Sequence, residues 1–186
     1  MNDLFSWTSE SLLMKKFLLY SSLITMAVLL FGCGTTYITV EQFSEKVTKT
    51  VDEFTGLTEI GSLKFPLTTG FGRYWFSARK GRGDAEYTIY LYITAWRGGS
   101  LDYKVFDQLY DTHQTKFRTF HVNQREGNFR SIEEVLATAI PEDYIVKWLE
   151  DPNPRGFMLD GKGERCTFQV FPNEIRGFWE AYQRLK

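Results

Sequence analysis

The chain has 186 residues, of which 43% are hydrophobic and 24% charged, with 22 Lys and Arg against 23 Asp and Glu. That composition excludes a disordered chain and a disulfide-stapled miniprotein, and a net charge of −1 supplies no general electrostatic case for nucleic-acid binding. Two cysteines can build neither a four-Cys metal site nor a disulfide framework.

The first element in chain order is an address. Lys15 and Lys16 precede a charge-free stretch from Phe17 to Phe31, shorter than the roughly 20 apolar residues that span a bilayer. A basic start, a short apolar run and a small residue at its end make a secretory signal. Met1 to Leu13 places Asp3 and Glu10 ahead of the basic residues, whereas Met14 opens a signal by itself, so translation is expected to start at Met14.

The end of the stretch, Leu30-Phe31-Gly32-Cys33, resembles the lipobox of bacterial lipoproteins. The resemblance implies cleavage between Gly32 and Cys33 and attachment of diacylglycerol to the Cys33 thiol, usually with acylation of the new amine. Phe31 is larger than the residue the family prefers there. Each buried CH₂ contributes about 0.8 kcal/mol, so two or three chains on Cys33 anchor the protein stably to membrane lipid. Gly34 follows, where an Asp favours inner-membrane retention in Gram-negative members, and this implies the outer membrane, facing the periplasm. Residues 1–32 are thus expected to be a signal peptide and residues 33–52 a lipidated tether or weak helix. Residues 53–186 are expected to form one α+β domain.

Asp52-Glu53-Phe54-Thr55-Gly56 is turn-like and is similar to the Asp-x-Phe-Thr-Gly opening of some uncharacterised bacterial lipoprotein and phage-associated proteins, a resemblance that implies no activity. Strands are predicted over residues 57–65, 72–78, 85–96 and 115–123. In residues 85–96 Tyr87, Ile89, Leu91, Ile93 and Ala95 alternate strictly with Glu86, Thr88, Tyr90, Tyr92, Thr94 and Trp96. Gly98 and Gly99 end that strand. Residues 131–136 read as a helical turn. Pro141 precedes a helix with a Tyr144, Ile145, Trp148, Leu149 stripe, and residues 151–154 break it. Residues 156–159 and 165–171 form a hairpin about a Gly-rich turn. Pro172 opens a last amphipathic helix carrying Ile175, Phe178, Trp179 and Tyr182. The predicted architecture is an antiparallel β-sheet or sandwich with one or two packed helices.

No nucleophile elbow, phosphate loop, dinucleotide fingerprint or His-x-x-x-His pair is present, and no cofactor or metal is expected. Asp111-x-His113 has the spacing of an oriented base or metal ligand, but the surrounding residues are polar and predict a loop. Cys166 alternates with polar residues so as to face a core. Arg79, Lys80 and Arg82 form a candidate basic loop near an Arg82-Gly83-Asp84 turn, with Arg73 nearby, able to touch anionic headgroups or an acidic partner. Tyr90, Tyr92 and Trp96 share the face opposite the apolar one; they suit glycan or protein binding, or burial within a sandwich.

Three functions follow as expectations. The first is a membrane-anchored, non-enzymatic binding or assembly module with an envelope protein or glycan as partner. The second is an inhibitor or immunity lipoprotein that caps a toxin or hydrolase through a loop such as residues 79–84. The third is an envelope hydrolase using His113 or Cys166.

Overall fold

The computed structural model describes residues 38–68, 71–98, 106–126, 131–161 and 164–186. Ten strands make a single antiparallel sheet: β1 (Thr48–Val51), β2 (Thr58–Gly61), β3 (Phe65–Pro66), β4 (Phe71–Lys80), β5 (Thr88–Gly98), β6 (Phe106–Asp111), β7 (Lys116–Glu126), β8 (Ser131–Ala139), β9 (Arg155–Gly161) and β10 (Arg165–Val170). Their order is β1-β2-β4-β5-β8-β7-β6-β9-β10, with β3 paired to β4 off this path. Among the described residues three helices accompany them: α1 (Val40–Glu45), α2 (Glu142–Leu149) and α3 (Pro172–Leu185). The α+β class and the amphipathic C-terminal helix agree with the sequence reading.

The strict alternation of β5 gives that strand one wholly apolar side. Ile89, Leu91, Ile93 and Ala95 are at most 2% exposed and stand in register with Ala78, Phe76, Tyr74 and Gly72 of β4. The sheet curls around this side, bringing its two halves into contact. Tyr74 of β4 stacks on Phe168 of β10 at 4.9 Å between ring centroids. α3 fills the curl with Ile175, Phe178 and Tyr182, and Phe178 stacks on Phe76 at 5.3 Å. α2 adds Trp148, which packs on Phe157 at 5.3 Å.

Inside this core the Tyr74 hydroxyl lies 2.9 Å from the Gln169 carbonyl and 2.8 Å from Glu174 Oε2. The same carboxyl oxygen accepts the Phe171 N–H at 2.9 Å, closing the first turn of α3. Burial pushes the Glu174 carboxyl above the usual range.

The packed unit starts at Ile38, which corrects the domain boundary at residue 53. Thr39 and Gln42 exchange hydrogen bonds of 3.2 Å as a capping box that fixes α1. α1 then lies on α3: Phe43 is fully buried and stacks on Phe65 at 5.3 Å. β1 continues the sheet. Polar, thinly apolar residues read as a tether or weak helix because a short helix and an edge strand each bury few side chains.

Residues 131–136 are not a helical turn but the first part of β8. Ile132, Glu134, Leu136 and Thr138 all point inward and are at most 3% exposed. Pairing on both sides, to β5 and β7, overrides the helical preference of Glu133-Glu134. The strand predicted over residues 57–65 is two strands, β2 and β3, and β6 is one that the sequence reading did not identify. The long strands and the β9–β10 hairpin lie close to their predicted positions.

Candidate binding face

The two candidate nucleophilic or basic groups are placed apart. Cys166 is on the inward side of β10, 6% exposed, and burial pushes its thiol above the usual range. His113 is exposed on the turn after β6. Asp111 is buried, not in a solvated loop as expected, and its carboxylate is consumed by structure. Its Oδ1 accepts the N–H groups of His113 and Thr115 at 2.9 and 2.7 Å, and its Oδ2 accepts the Tyr144 hydroxyl at 2.6 Å. Asp111-x-His113 is therefore a turn-closing pair. Among the described residues no group of three or more His, Cys, Asp or Glu could hold a metal ion.

The proposed basic loop does not converge either. Arg79 belongs to β4, where its guanidinium pairs with Glu59 at 3.0 Å. Lys80 bonds the Ala85 carbonyl at 2.9 Å and lies over Tyr87. The Arg82 side chain packs close to Gly56. Arg73 sits seven residues back along β4, at the opposite end of the strand.

The outward side of the sheet is different. Register aligns Trp75, Tyr92, Ala137 and Phe120 in one row across β4, β5, β8 and β7. A second row holds Arg73, Thr94, Val135 and Asn123, and a third holds Trp96, Glu133 and Arg125. Tyr92 is only 4% exposed: it stacks on Trp75 at 5.1 Å, with the Arg79 guanidinium 4.9 Å over its ring. Trp96 is 45% exposed and Phe120 44%. The three sequence candidates thus divide, with Tyr92 built into the sheet, Tyr90 half-buried beside it and Trp96 open to ligand.

Trp96 borders a cleft of about 380 Å³ lined by Lys64, Arg73, Thr94, Arg125 and Glu133, with Gly72 at its edge. That volume is in the range of small-ligand sites. Arg125 Nε donates to Glu133 Oε2, and the Trp96 side chain also hydrogen-bonds this carboxylate. The Arg125 hydrogen bond, more than any other contact, holds the Glu133 carboxyl below the usual range. Trp96 thus stands directly across from Glu133 at the rim of the cleft. Lys64 leans over Trp75 at 4.6 Å. Arg73 is exposed and makes no hydrogen bond or ion pair among the described residues. Gly72 is obligatory here, because a Cβ would fall 2.0 Å from the Thr94 carbonyl oxygen.

Sequence reasoning found Trp96 but not the cleft. Lys64, Arg73 and Arg125 come from three distant segments that only the order β4-β5-β8-β7 brings together. Gly32 and Cys33 lie outside the described residues, and among those described no helix is long and apolar enough to cross a membrane. No protein-family profile matches the chain, and no curated protein or solved structure shows significant similarity to it.

Proposed function

We propose that the protein is a lipid-anchored binding module of the cell envelope, carried by Cys33 and presenting the outward face of β4, β5, β8 and β7 to its ligand. The lipobox-like Leu30-Phe31-Gly32-Cys33 supports the anchor. Four residues separate Cys33 from Ile38, five Cα steps with a reach of about 17 Å when extended, so the anchor would keep the domain beside the bilayer. The observation that carries the binding role is the Trp96 indole, exposed beside the Glu133–Arg125 pair at the edge of a cleft. An exposed ring is otherwise unfavourable. No metal, cofactor or covalent step enters this reading.

The test has two parts. Cells producing wild type and Cys33→Ser are fractionated, and the intact mass of the purified protein is measured. A mass of the chain from Cys33 plus lipid, with only wild type in the outer-membrane fraction, supports the anchor. Detergent-solubilised wild type, Trp96→Ala and Arg73→Ala are then compared for co-purifying envelope components. Identical recovery with all three would refute the binding face.

One observation favours the inhibitor reading as a second. Phe54 is 97% exposed on a turn whose Asp52 carboxylate accepts the Phe54 N–H, the Thr55 N–H and, at 2.7 Å, the Thr55 hydroxyl. A fixed, projecting ring beside the Arg82 loop is suited to insertion into a partner's pocket. Loss of a 1:1 envelope complex in Phe54→Ser, with Trp96→Ala unaffected, would establish that reading in place of the first.

A further inference from the structure

Resting on the cleft as a binding surface, we infer that its ligand is an anionic saccharide, a pyranose ring carrying a carboxylate or phosphate. The argument starts from charge. The whole chain has a net charge of −1. Yet across β2, β4, β5, β8 and β7 the outward face gathers Lys64, Arg73, Arg79, Lys116, Arg118 and Arg125 against Glu59 and Glu133 among the described charged side chains. Glu59 is paired with Arg79 and Glu133 with Arg125, which leaves Lys64, Arg73, Lys116 and Arg118 without a salt bridge among the described residues, Lys64 acting on Glu133 at longer range. At the cleft itself three cations face one carboxylate. A neutral or cationic ligand would leave that field unanswered; an anion answers it.

The arrangement of rings narrows the class. Three of the aromatic side chains on this face have a cation beside them: Lys64 at Trp75, Arg79 at Tyr92, and Arg118 at 5.4 Å from Phe120. At Trp96 the neighbours are Arg125, through Glu133, and Arg73 across the cleft. Protein interfaces gather apolar area, aromatic rings and Arg toward their centre. This face instead alternates rings with charges over a few ångströms. The matching ligand alternates in the same way. The C–H face of a pyranose packs on the exposed indole, while its acidic substituent reaches Arg73 and Lys64. The guanidinium of Arg73 can take a carboxylate or phosphate through two parallel N–H donors. Binding is reversible, with no bond made or broken.

The experiment titrates the full-length mature protein, held in a polyoxyethylene detergent that carries no sugar. The probes are trigalacturonate, glucose 6-phosphate, maltotriose and inorganic phosphate. Trigalacturonate or glucose 6-phosphate is expected to bind at least tenfold more tightly than both maltotriose and inorganic phosphate. Which of the two prevails distinguishes a uronate polymer from a phosphorylated headgroup or core sugar. Arg73→Gln should weaken that probe about tenfold, the loss of one charge-assisted contact, with the melting temperature unchanged. Trp96→Phe should retain binding and Trp96→Ala lose the advantage of sugar over bare phosphate. Maltotriose equalling trigalacturonate, inorganic phosphate equalling glucose 6-phosphate, or a thymidine oligonucleotide outcompeting both sugars would each overturn the inference. If Trp96→Ala abolishes co-purification while no charged sugar binds, the ligand class is wrong and the binding face stands. If Trp96→Ala affects neither readout, both are wrong.

Discussion

Gly177→Ala offers the sharpest test of where the domain begins. In an isolated helix the change is favourable by about 1 kcal/mol, because glycine is the poorer helix former. In this protein Gly177 is the point where α1 crosses α3. A Cβ there would lie 2.7 Å from Phe43 Cβ, 2.8 Å from the Val40 carbonyl oxygen and 2.9 Å from Phe43 Cδ1. None of those atoms is the free end of a flexible chain. Asn173 Nδ2 holds the Ile38 carbonyl at 3.2 Å and Arg184 holds the Ser44 carbonyl at 3.1 Å, so α1 cannot slide without losing both. Overpacking of this kind costs roughly 1–3 kcal/mol. With two contacts on backbone or Cβ atoms the upper part of that range applies, and the helix gain offsets about 1 kcal/mol. A net loss of about 1–2 kcal/mol corresponds to a melting temperature lowered by roughly 2–8 °C in a domain of this size. Circular dichroism melts and urea midpoints of the mature protein measure it. An unchanged or raised melting temperature would refute the packing of α1 on α3 and restore residues 38–52 to a tether.

Further predictions concern buried polar groups and the divided aromatic row. The Tyr74 hydroxyl has one hydrogen and two facing acceptors, Gln169 O and Glu174 Oε2, so a protonated Glu174 supplies the missing donor. Its folded pKa is raised, so the proton is held more tightly folded than unfolded; stability falls as pH rises from the ordinary glutamate value through the raised folded one. Glu174→Gln should remove that slope with little loss at pH 7, whereas Glu174→Ala should cost roughly 1–3 kcal/mol, read by urea denaturation across pH. Asp111→Ala leaves two N–H groups and the Tyr144 hydroxyl unanswered and should cost about 3 kcal/mol, while His113→Ala should be within about 0.5 kcal/mol, in thermal melts. The Cys166 thiol should resist iodoacetamide until the protein unfolds, with labelling tracking the denaturation curve; labelling of the native state would contradict its burial. Tyr92→Ala should destabilise by roughly 2–4 kcal/mol, losing its stack on Trp75, and Trp96→Ala by less than about 1 kcal/mol; equal losses in urea midpoints would contradict the division of the row.

The fold was legible where hydrophobic period and turn chemistry agreed. β5, the β9–β10 hairpin and α3 each bury one face completely, so their side-chain patterns carry the full signal of two-residue or 3.6-residue repeats. β8 was misread because its inward residues include Glu134 and Thr138, both fully buried, which breaks the apolar alternation. The inward Glu134 accepts the Phe106 N–H at 3.3 Å, a contact 28 residues distant in sequence that no local pattern can announce. For residues 38–52 the sequence offers a tether or a weak helix, and α1 is such a helix, but β1 and the packing of both elements are not legible locally. Their stability comes from Gly177, Phe65 and the edge of β2, all contributed from elsewhere in the chain.

The candidate site was legible only in outline, and the reason lies in the sheet's connectivity. Alternation along β5 places Tyr90, Tyr92 and Trp96 on one face whatever the topology, and the expected choice between a covered and an open face was framed for the row as a unit. The structure separates the row by position along the strand. Near the middle of β5, Tyr92 has Trp75, Arg79 and Tyr90 leaning over it, and the face covers itself without a second sheet. Toward the strand end Trp96 is 45% exposed, and the neighbouring row holds Arg73 and Thr94 rather than large rings. The polar neighbours of the indole, Glu133 and Arg125, arrive only because β8 and β7 follow β5 in the sheet. Excluding a nucleic-acid role from net charge shows the same limit: a total of −1 conceals a face with six cations and two carboxylates among the described residues. Composition averages over a surface that the fold has already sorted, and binding depends on the sorted charge.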